Sequence, residues 1–418
     1  MPVLALRATG DTPLSIDAIQ AWWQARTRWE QIAIAVWTAF LLFVCVRSFV
    51  KPTAKTVYPI YSACGYFWCT SQDLYAPDRP EWAQGGYRYS PTFAVMCVPF
   101  AAFPDNIGGV LWRLICTGAL LGSLFWLARS VASKPLSADH FAWLVLLSLP
   151  LSLQSVNNGQ ANILIAATLV GTIAAVREER WNLASVLIAI GFACKVYPLA
   201  LGLLLIVVNP RTLGWRVPLA VAASVVAPFL TQSPDYVVDQ YAKWLRVLRT
   251  DDRSEIDLDQ SYRDLWLLIR LYDIPIQRTL YVAIQLVSAL ALAILVWQRQ
   301  RIGWAEKPLL ISTLALASVW MMFLGPTTES CSFILMAPSF ALSIVETLRD
   351  GVSKPRGWML AISVAFFTIA IGMADFKWLI NIHAVGAHAW ACVFYIGYLL
   401  TESQPAALAA EQQLPLAA

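Results

Sequence analysis

Apolar stretches of near-membrane length recur from one end of this chain to the other, at about Gln31–Val50, Ile107–Arg129, Phe141–Val156, Ala161–Val176, Leu183–Val208, Val217–Leu230, Leu280–Trp297, Leu309–Leu324, Ser332–Leu348, Trp358–Met373 and Leu379–Leu400. Most approach the roughly 20 residues that carry a helix across the hydrocarbon core. Only 13% of the 418 residues are charged and 58% are hydrophobic, where a soluble domain carries roughly 25% charged residues. The chain is therefore expected to be an all-α polytopic membrane protein, because helices alone satisfy every backbone group within each apolar run.

Leu183–Val208 is interrupted by Lys195 and Pro198. It reads either as one kinked span or as two short helices meeting at the outer face. Cytoplasmic loops collect Lys and Arg, and Arg177/Arg180, Arg211/Arg216, Arg299/Arg301/Lys307 and Arg349/Lys354/Arg356 share one side only if the run is a hairpin. That choice predicts about 12 transmembrane helices with both termini cytoplasmic. Residues 1–30 form a cytoplasmic N-terminal segment without the pattern of a cleaved signal, residues 31–400 the membrane domain, and residues 401–418 a disordered cytoplasmic tail. The net charge of +4 is spread over cytoplasmic loops and reports orientation, not nucleic-acid binding.

Two outer loops are long, 51–90 and 232–278, and their aromatic residues suggest short amphipathic helices on the membrane surface. Thr92–Phe103 ends at Pro104-Asp105 and is too short to cross, so a re-entrant or interfacial helix is expected there. Six of the eight cysteines sit in or beside apolar runs as small hydrophobes. Cys64 and Cys69, in the first outer loop, come within pairing reach if that face is oxidising. No cysteine spacing matches a zinc motif and there are only three histidines, so neither a metal site nor a cofactor is expected.

Polar residues that gather at a bilayer edge usually handle a polar substrate. The first loop carries Asp73-Leu74-Tyr75, Asp78, Glu81 and Tyr87-Arg88-Tyr89-Ser90-Pro91. A carboxylate there can act as general base toward an acceptor hydroxyl, and a guanidinium can hold phosphate in a bidentate fork. Equally, Asp73 can cap a turn and Arg88 anchor a helix end. In Asn157-Asn158-Gly159-Gln160-Ala161-Asn162 the amides either contact substrate or bridge helices. Lys195 is an ammonium between apolar half-helices, and must snorkel, meet a lipid-linked phosphate, or pair with a loop carboxylate. Asp251–Asp259 is mostly a solvated charge run, Arg263 a second phosphate ligand, and Glu329 the best alternative carboxylate.

Taken in order, Asp73-Leu74-Tyr75, Tyr87-Arg88-Tyr89-Ser90-Pro91, Pro104, Leu111-Trp112-Arg113, Gly159-Gln160-Ala161-Asn162 and Ala193-Cys194-Lys195-Val196-Tyr197-Pro198 resemble glycosyltransferase family 87. The resemblance covers about Tyr58–Pro198 and extends weakly through Gln260-Ser261 and the span after Glu329. It implies a GT-C-like bundle that takes a sugar, typically mannose, from a polyprenyl phosphate on the outer side of the bacterial inner membrane. The partners it implies are that donor, a glycan or glycolipid acceptor and membrane lipids. The residues it points to for substrate binding are Arg88, Tyr89, Asn158, Gln160, Asn162, Lys195, Tyr197, Gln260 and Arg263.

The sequence departs from the family pattern twice. Lys55-Thr56-Val57-Tyr58 has no acid where members usually carry the aspartate base, and Thr328-Glu329-Ser330 has no histidine before the late helix. Either Asp73, Asp78 or Glu329 has taken the base role, or the chain is a divergent member with altered or lost transfer. A transporter or flippase using the same charged pocket without chemistry is the alternative; one broken hairpin and no convincing internal repeat favour the enzyme.

Overall fold

The computed structural model describes residues 16–77, 79–80, 86–132, 134–250, 257–258, 261–325, 328–372 and 385–402. Every regular element among them is a helix. In chain order these are α1 (Ile16–Gln24), α2 (Arg28–Val50), α3 (Tyr58–Cys69), α4 (Pro91–Cys97) running into a 3₁₀ turn at Val98–Ala102, α5 (Asp105–Ser130), α6 (Ala138–Asn158), α7 (Asn162–Arg177), α8 (Trp181–Cys194), α9 (Leu199–Val208), α10 (Pro210–Val226) with a 3₁₀ end at Ala227–Leu230, α11 (Pro234–Thr250), α12 (Leu265–Leu271), α13 (Arg278–Arg301), α14 (Glu306–Phe323), a 3₁₀ segment Ser330–Leu335, α15 (Ala337–Asp350), α16 (Lys354–Gly372) and α17 (Ala387–Leu400).

Six of these are long and apolar enough to cross a membrane: α2, α5, α10 with its extension, α13, α14 and α16. They differ in surroundings. Along α13, Leu286, Val287 and Leu290 are exposed, as a lipid-facing helix requires. By contrast α14 is buried along almost its whole length and packs on α7, α9, α13, α15 and α17. Beside it α7 is also buried, between α5 and α8. Its sequence NILIAATLVGTIAAVR is rich in small residues, and without a hydrophobic force between helices in lipid, close backbone approach supplies the packing.

The run around Lys195 folds back on itself. A Cβ added to Gly202 would lie 3.0 Å from Ile188 Cγ2, although the two are fourteen positions apart, about 21 Å along a continuous helix. The alternative of one kinked span is thereby excluded. Lys195 ends α8 in extended backbone, and Tyr197, preceding Pro198, is disfavoured in helical conformation.

Polar side chains concentrate at the two ends of the bundle. At one end Arg177 pairs with Glu306 (3.4 Å), Lys134 with Asp350 (2.8 Å), and Arg299 and Arg356 both with Glu402 (3.4 Å each). Gln300 Nε2 donates to Val208 O at 2.8 Å, tying the α13 and α9 ends there. The other end carries the polar loops singled out from sequence.

Both segments read from sequence as long loops hold short helices, and the first is more enclosed than expected. α3 lies within 51–90 and buries Tyr58, Tyr61, Cys64, Gly65, Phe67 and Trp68, so it is packed inside and not laid on a surface. Gly65 is needed there, because a Cβ would meet Cys97 O of α4 at 2.6 Å. The region 232–278 holds α11 and α12, of which α11 leaves Val238, Leu245 and Leu248 exposed. α4 and its 3₁₀ turn stop at Ala102, short of a crossing. The Cys64–Cys69 pairing is corrected: both are free thiols, Cys64 buried and Cys69 exposed, and Cys64 Sγ donates to Tyr61 O at 3.2 Å.

Candidate active site

Four segments distant in sequence meet at the end of the bundle opposite the ion pairs just described. Ser90 Oγ receives Phe93 N–H (3.2 Å), capping α4, and donates to Ala193 O (2.5 Å), joining the Tyr-Arg-Tyr-Ser-Pro loop to the end of α8. Tyr89 stacks on Phe93 (centroids 4.5 Å) and shares a hydrogen bond with Tyr61 Oη (2.8 Å), which accepts Ala161 N–H (3.0 Å). The loop is thereby locked to the start of α7.

From α7, the fully buried Asn162 reaches both remaining segments. Its Oδ1 accepts from Tyr197 Oη (3.4 Å), and its Nδ2 donates to Ser332 Oγ (3.5 Å) and Cys331 Sγ (3.8 Å). Lys195 Nζ lies 5.6 Å from the Tyr197 ring centroid. Tyr197, Tyr89 and Glu329 all act on the Lys195 ammonium electrostatically. Glu329 is exposed, and its Oε2 accepts from Cys331 Sγ (3.5 Å). The result is a half-buried cation walled by two tyrosines and a buried amide, with a carboxylate at the rim.

Beneath this group sits Arg113, 1% exposed. Its guanidinium donates to Val156 O, Ser48 Oγ, Gly109 O, Thr56 Oγ1 and Asn157 O at 2.9–3.2 Å. All five acceptors are neutral. Gly159 turns over this cation with φ +64°, and a Cβ there would lie 3.0 Å from Arg113 Cζ, so both the conformation and the space call for glycine. Trp112 Nε1 donates to Gly159 O at 2.9 Å. Asn158 contributes its carbonyl, which accepts from Val57 N (3.0 Å) and Thr56 Oγ1 (3.2 Å). Lys55–Tyr58, where an acid was missed in the sequence, therefore serves as a brace for the Asn157–Asn162 turn. Gln160 is buried and closes that turn through its backbone, N–H to Ser155 O at 3.0 Å.

The other predicted residues fall around this centre unevenly. Arg263 is buried; its N–H donates to Thr328 O (2.8 Å), which sets it beside the Glu329 segment, and its Nη1 donates to Leu258 O (3.3 Å). Arg88 is half-buried, its carbonyl accepting Trp244 Nε1 at 3.3 Å. Asp73 is engaged elsewhere: Oδ1 accepts Tyr75 N–H (2.9 Å), and Oδ2 meets Lys243 Nζ at 3.0 Å. Hydrogen bonds to Asp239 first, then to Asp73, raise the Lys243 ammonium above its ordinary range. Asp78, Glu81 and Gln260 lie outside the described residues.

Sequence reasoning missed Tyr61, Ser332 and the depth at which Arg113 is buried. Arg113 did carry a signal, as a cation inside an apolar run; Tyr61 and Ser332 carried none, being ordinary residues made important by long-range closure. Among the described residues no cluster of His, Cys, Asp and Glu suits a metal ion.

The family model of glycosyltransferase family 87 matches residues 87–326, more than half of the chain, and takes in Tyr89, Asn162, Lys195, Tyr197 and Arg263. No curated protein matches the chain significantly.

Proposed function

This chain belongs to glycosyltransferase family 87, and is thus a membrane glycosyltransferase; on that premise we propose that it transfers mannose or another hexose from a polyprenyl-phosphate donor to an outward-facing glycan or glycolipid acceptor, with inversion. The observation that carries the reading is the meeting of Lys195, Tyr89, Tyr197 and Asn162 with Glu329 at one bundle end. A half-buried cation suits a phosphate leaving group, and aromatic walls suit a pyranose face.

In the proposed step Glu329 removes the proton from an acceptor hydroxyl, and the oxygen attacks the anomeric carbon from the face opposite the phosphate. The carbon–oxygen bond to phosphate breaks, and polyprenyl phosphate leaves with both electrons, its charge held by Lys195, with Arg88 and Arg263 as further phosphate ligands. One in-line displacement inverts the centre. Glu329 is preferred over Asp73 because it lies exposed beside the Lys195 cation, whereas Asp73 is turned toward Lys243.

We read α2, α5–α10 and α13–α17 as twelve crossings of a bacterial inner membrane, the site on the outer face. The back-folded α8–α9 pair and the grouping of Arg177, Arg299, Arg349 and Arg356 at the opposite end support this orientation.

The test supplies purified protein with radiolabelled polyprenyl-phosphate mannose and a glycolipid acceptor. Wild type should release lipid phosphate and label the acceptor, and Glu329→Gln should lower kcat at least about 100-fold with donor affinity unchanged. Undiminished turnover in that variant would remove Glu329 from the mechanism. Substrate movement without release of lipid phosphate would replace transfer by transport.

A further inference from the structure

At the end of the bundle away from the active site, α1, α2, α5 and α6 border an open apolar cleft of about 390 Å³, lined by Ala33, Trp37, Leu41, Leu121, Phe141 and Val145. Along α2 the lining runs Glu30, Ala33, Ile34, Trp37, Thr38, Leu41, one face of a helix. At about 1.5 Å per residue it is about 16 Å deep, half of a hydrocarbon core of about 30 Å and so the depth of one leaflet. Its far wall is closed where Trp37 Nε1 donates to Val145 O at 3.0 Å.

The mouth is polar. Arg26 lines it, stacked over Trp22 at 4.8 Å and 3.6 Å from Glu30, yet its buried Nε donor has no hydrogen-bond partner. Arg28 follows, exposed. The charged residues that line the mouth are Arg26 and Glu30. Across it lies α1, which has no buried residue and exposes Ile16, Ile19, Trp22 and Trp23. Such an amphipathic helix fits the headgroup plane.

We propose that this cleft is a binding site for one acyl chain of an anionic phospholipid, the chain lying along α2 from Ala33 to Leu41 and the phosphate at Arg26. An apolar slot of leaflet depth with a guanidinium donor left open at headgroup level matches a lipid in both parts. A zwitterionic lipid would gain the slot but bring its ammonium beside the Arg26 guanidinium.

Phosphatidylglycerol and phosphatidylethanolamine with a photoactivatable acyl chain, each reconstituted with the full-length protein, provide the test. Phosphatidylglycerol should give adducts concentrated on peptides containing Ala33–Leu41 and Phe141–Val145, several-fold above phosphatidylethanolamine. Ala33→Trp, which fills the slot, should lower those adducts at least about fivefold and leave adducts on α13 unchanged, and Arg26→Gln should remove the headgroup preference. Should Ala33→Trp not fold, Ala142→Leu obstructs the same slot from α6. Adducts spread evenly over all lipid-facing helices, adducts undiminished in a filled variant that melts like wild type, or wild-type protein unlabelled there because its own first fifteen residues occupy the slot would each overturn the assignment.

Discussion

Two buried or half-buried cations at the same end of the bundle carry opposite expectations. Lys195 is bordered by the Tyr197 ring, and the carboxylate that acts on it, Glu329, is exposed. Replacing the ammonium by an apolar chain of similar size strands no buried charge, so Lys195→Met should cost under about 1 kcal/mol of stability. The same change should weaken donor binding about 10- to 100-fold, the worth of a hydrogen bond to a charged group. Isothermal titration with donor lipid and a melting curve on one sample measure both; a large drop in melting temperature with donor affinity intact would make Lys195 a structural partner. Arg113 is the reverse case. Its donors go to five neutral acceptors at the centre of the Asn157–Asn162 turn. Lysine offers three donors from a point and no fork, so Arg113→Lys loses at least two of these five charge-assisted hydrogen bonds and should destabilise by about 3–6 kcal/mol. Melting within a degree of wild type would show that water replaces the guanidinium.

Helix ends and close helix crossings decide how the outer segments hold together. Asp264 caps α12, its Oδ1 accepting Trp266 N–H at 3.0 Å, and burial pushes its carboxyl up to about 7 despite those amide donors and Arg278. Unfolded, it titrates near about 3.9. Between about pH 4 and 7 the folded segment keeps a proton that the unfolded chain has lost, so its stability is greatest at the acid side and declines as pH rises through that window. Hydrogen exchange of the α12 amides, corrected for intrinsic rates, should therefore be faster at pH 8 than at pH 5. In Asp264→Asn, which keeps a capping oxygen without the charge, the difference should vanish; an unchanged difference would place the titration elsewhere. At the α3–α4 crossing, Gly65→Ala puts a methyl 2.6 Å from backbone Cys97 O and should cost about 1–3 kcal/mol by overpacking. The sequence read these elements unequally. Apolar length and the Lys195–Pro198 break disclosed the membrane fold and the α8–α9 back-fold, because lipid and charge act on composition directly. The burial of α3 was not legible, since an aromatic run reads alike on a surface or in a core. The pairing of Asp73 with Lys243, about 170 positions away, has no local signature either.

Over the whole bundle, polar side chains gather in two layers, and the proposed orientation rests on how charge differs between them. Among the described residues Lys134, just after α5, and Arg177, Arg299 and Arg356 at the ends of α7, α13 and α16 are joined by ion pairs to Asp350, Glu306 and Glu402. The opposite layer holds Arg113 among neutral acceptors, Lys195 beside the exposed Glu329, and Lys243 paired with Asp73 and Asp239. A basic layer is expected on the cytoplasmic side, and the Lys195 cation suits an anionic substrate. Single cysteines placed at Gly86, Asp257, Glu178 and Lys307 in a Cys69→Ser background, which removes the exposed native thiol, separate the two layers. Gly86 has φ +76° with nothing within 4 Å of an added Cβ, so cysteine there costs backbone strain of about 1–3 kcal/mol and no clash. Glu178 meets Arg180 at 3.0 Å and accepts from Trp126 Nε1 at 2.6 Å, both exposed, and the half-buried Lys307 donates to Ala132 O at 3.4 Å, each contact worth about 1 kcal/mol. All four variants should therefore fold. A membrane-impermeant maleimide applied to intact cells should label positions 86 and 257 and spare 178 and 307, and disrupted cells should label all four. Labelling at 178 in intact cells would turn the molecule over, set the Lys195 site on the cytoplasmic face, and require a donor available there instead.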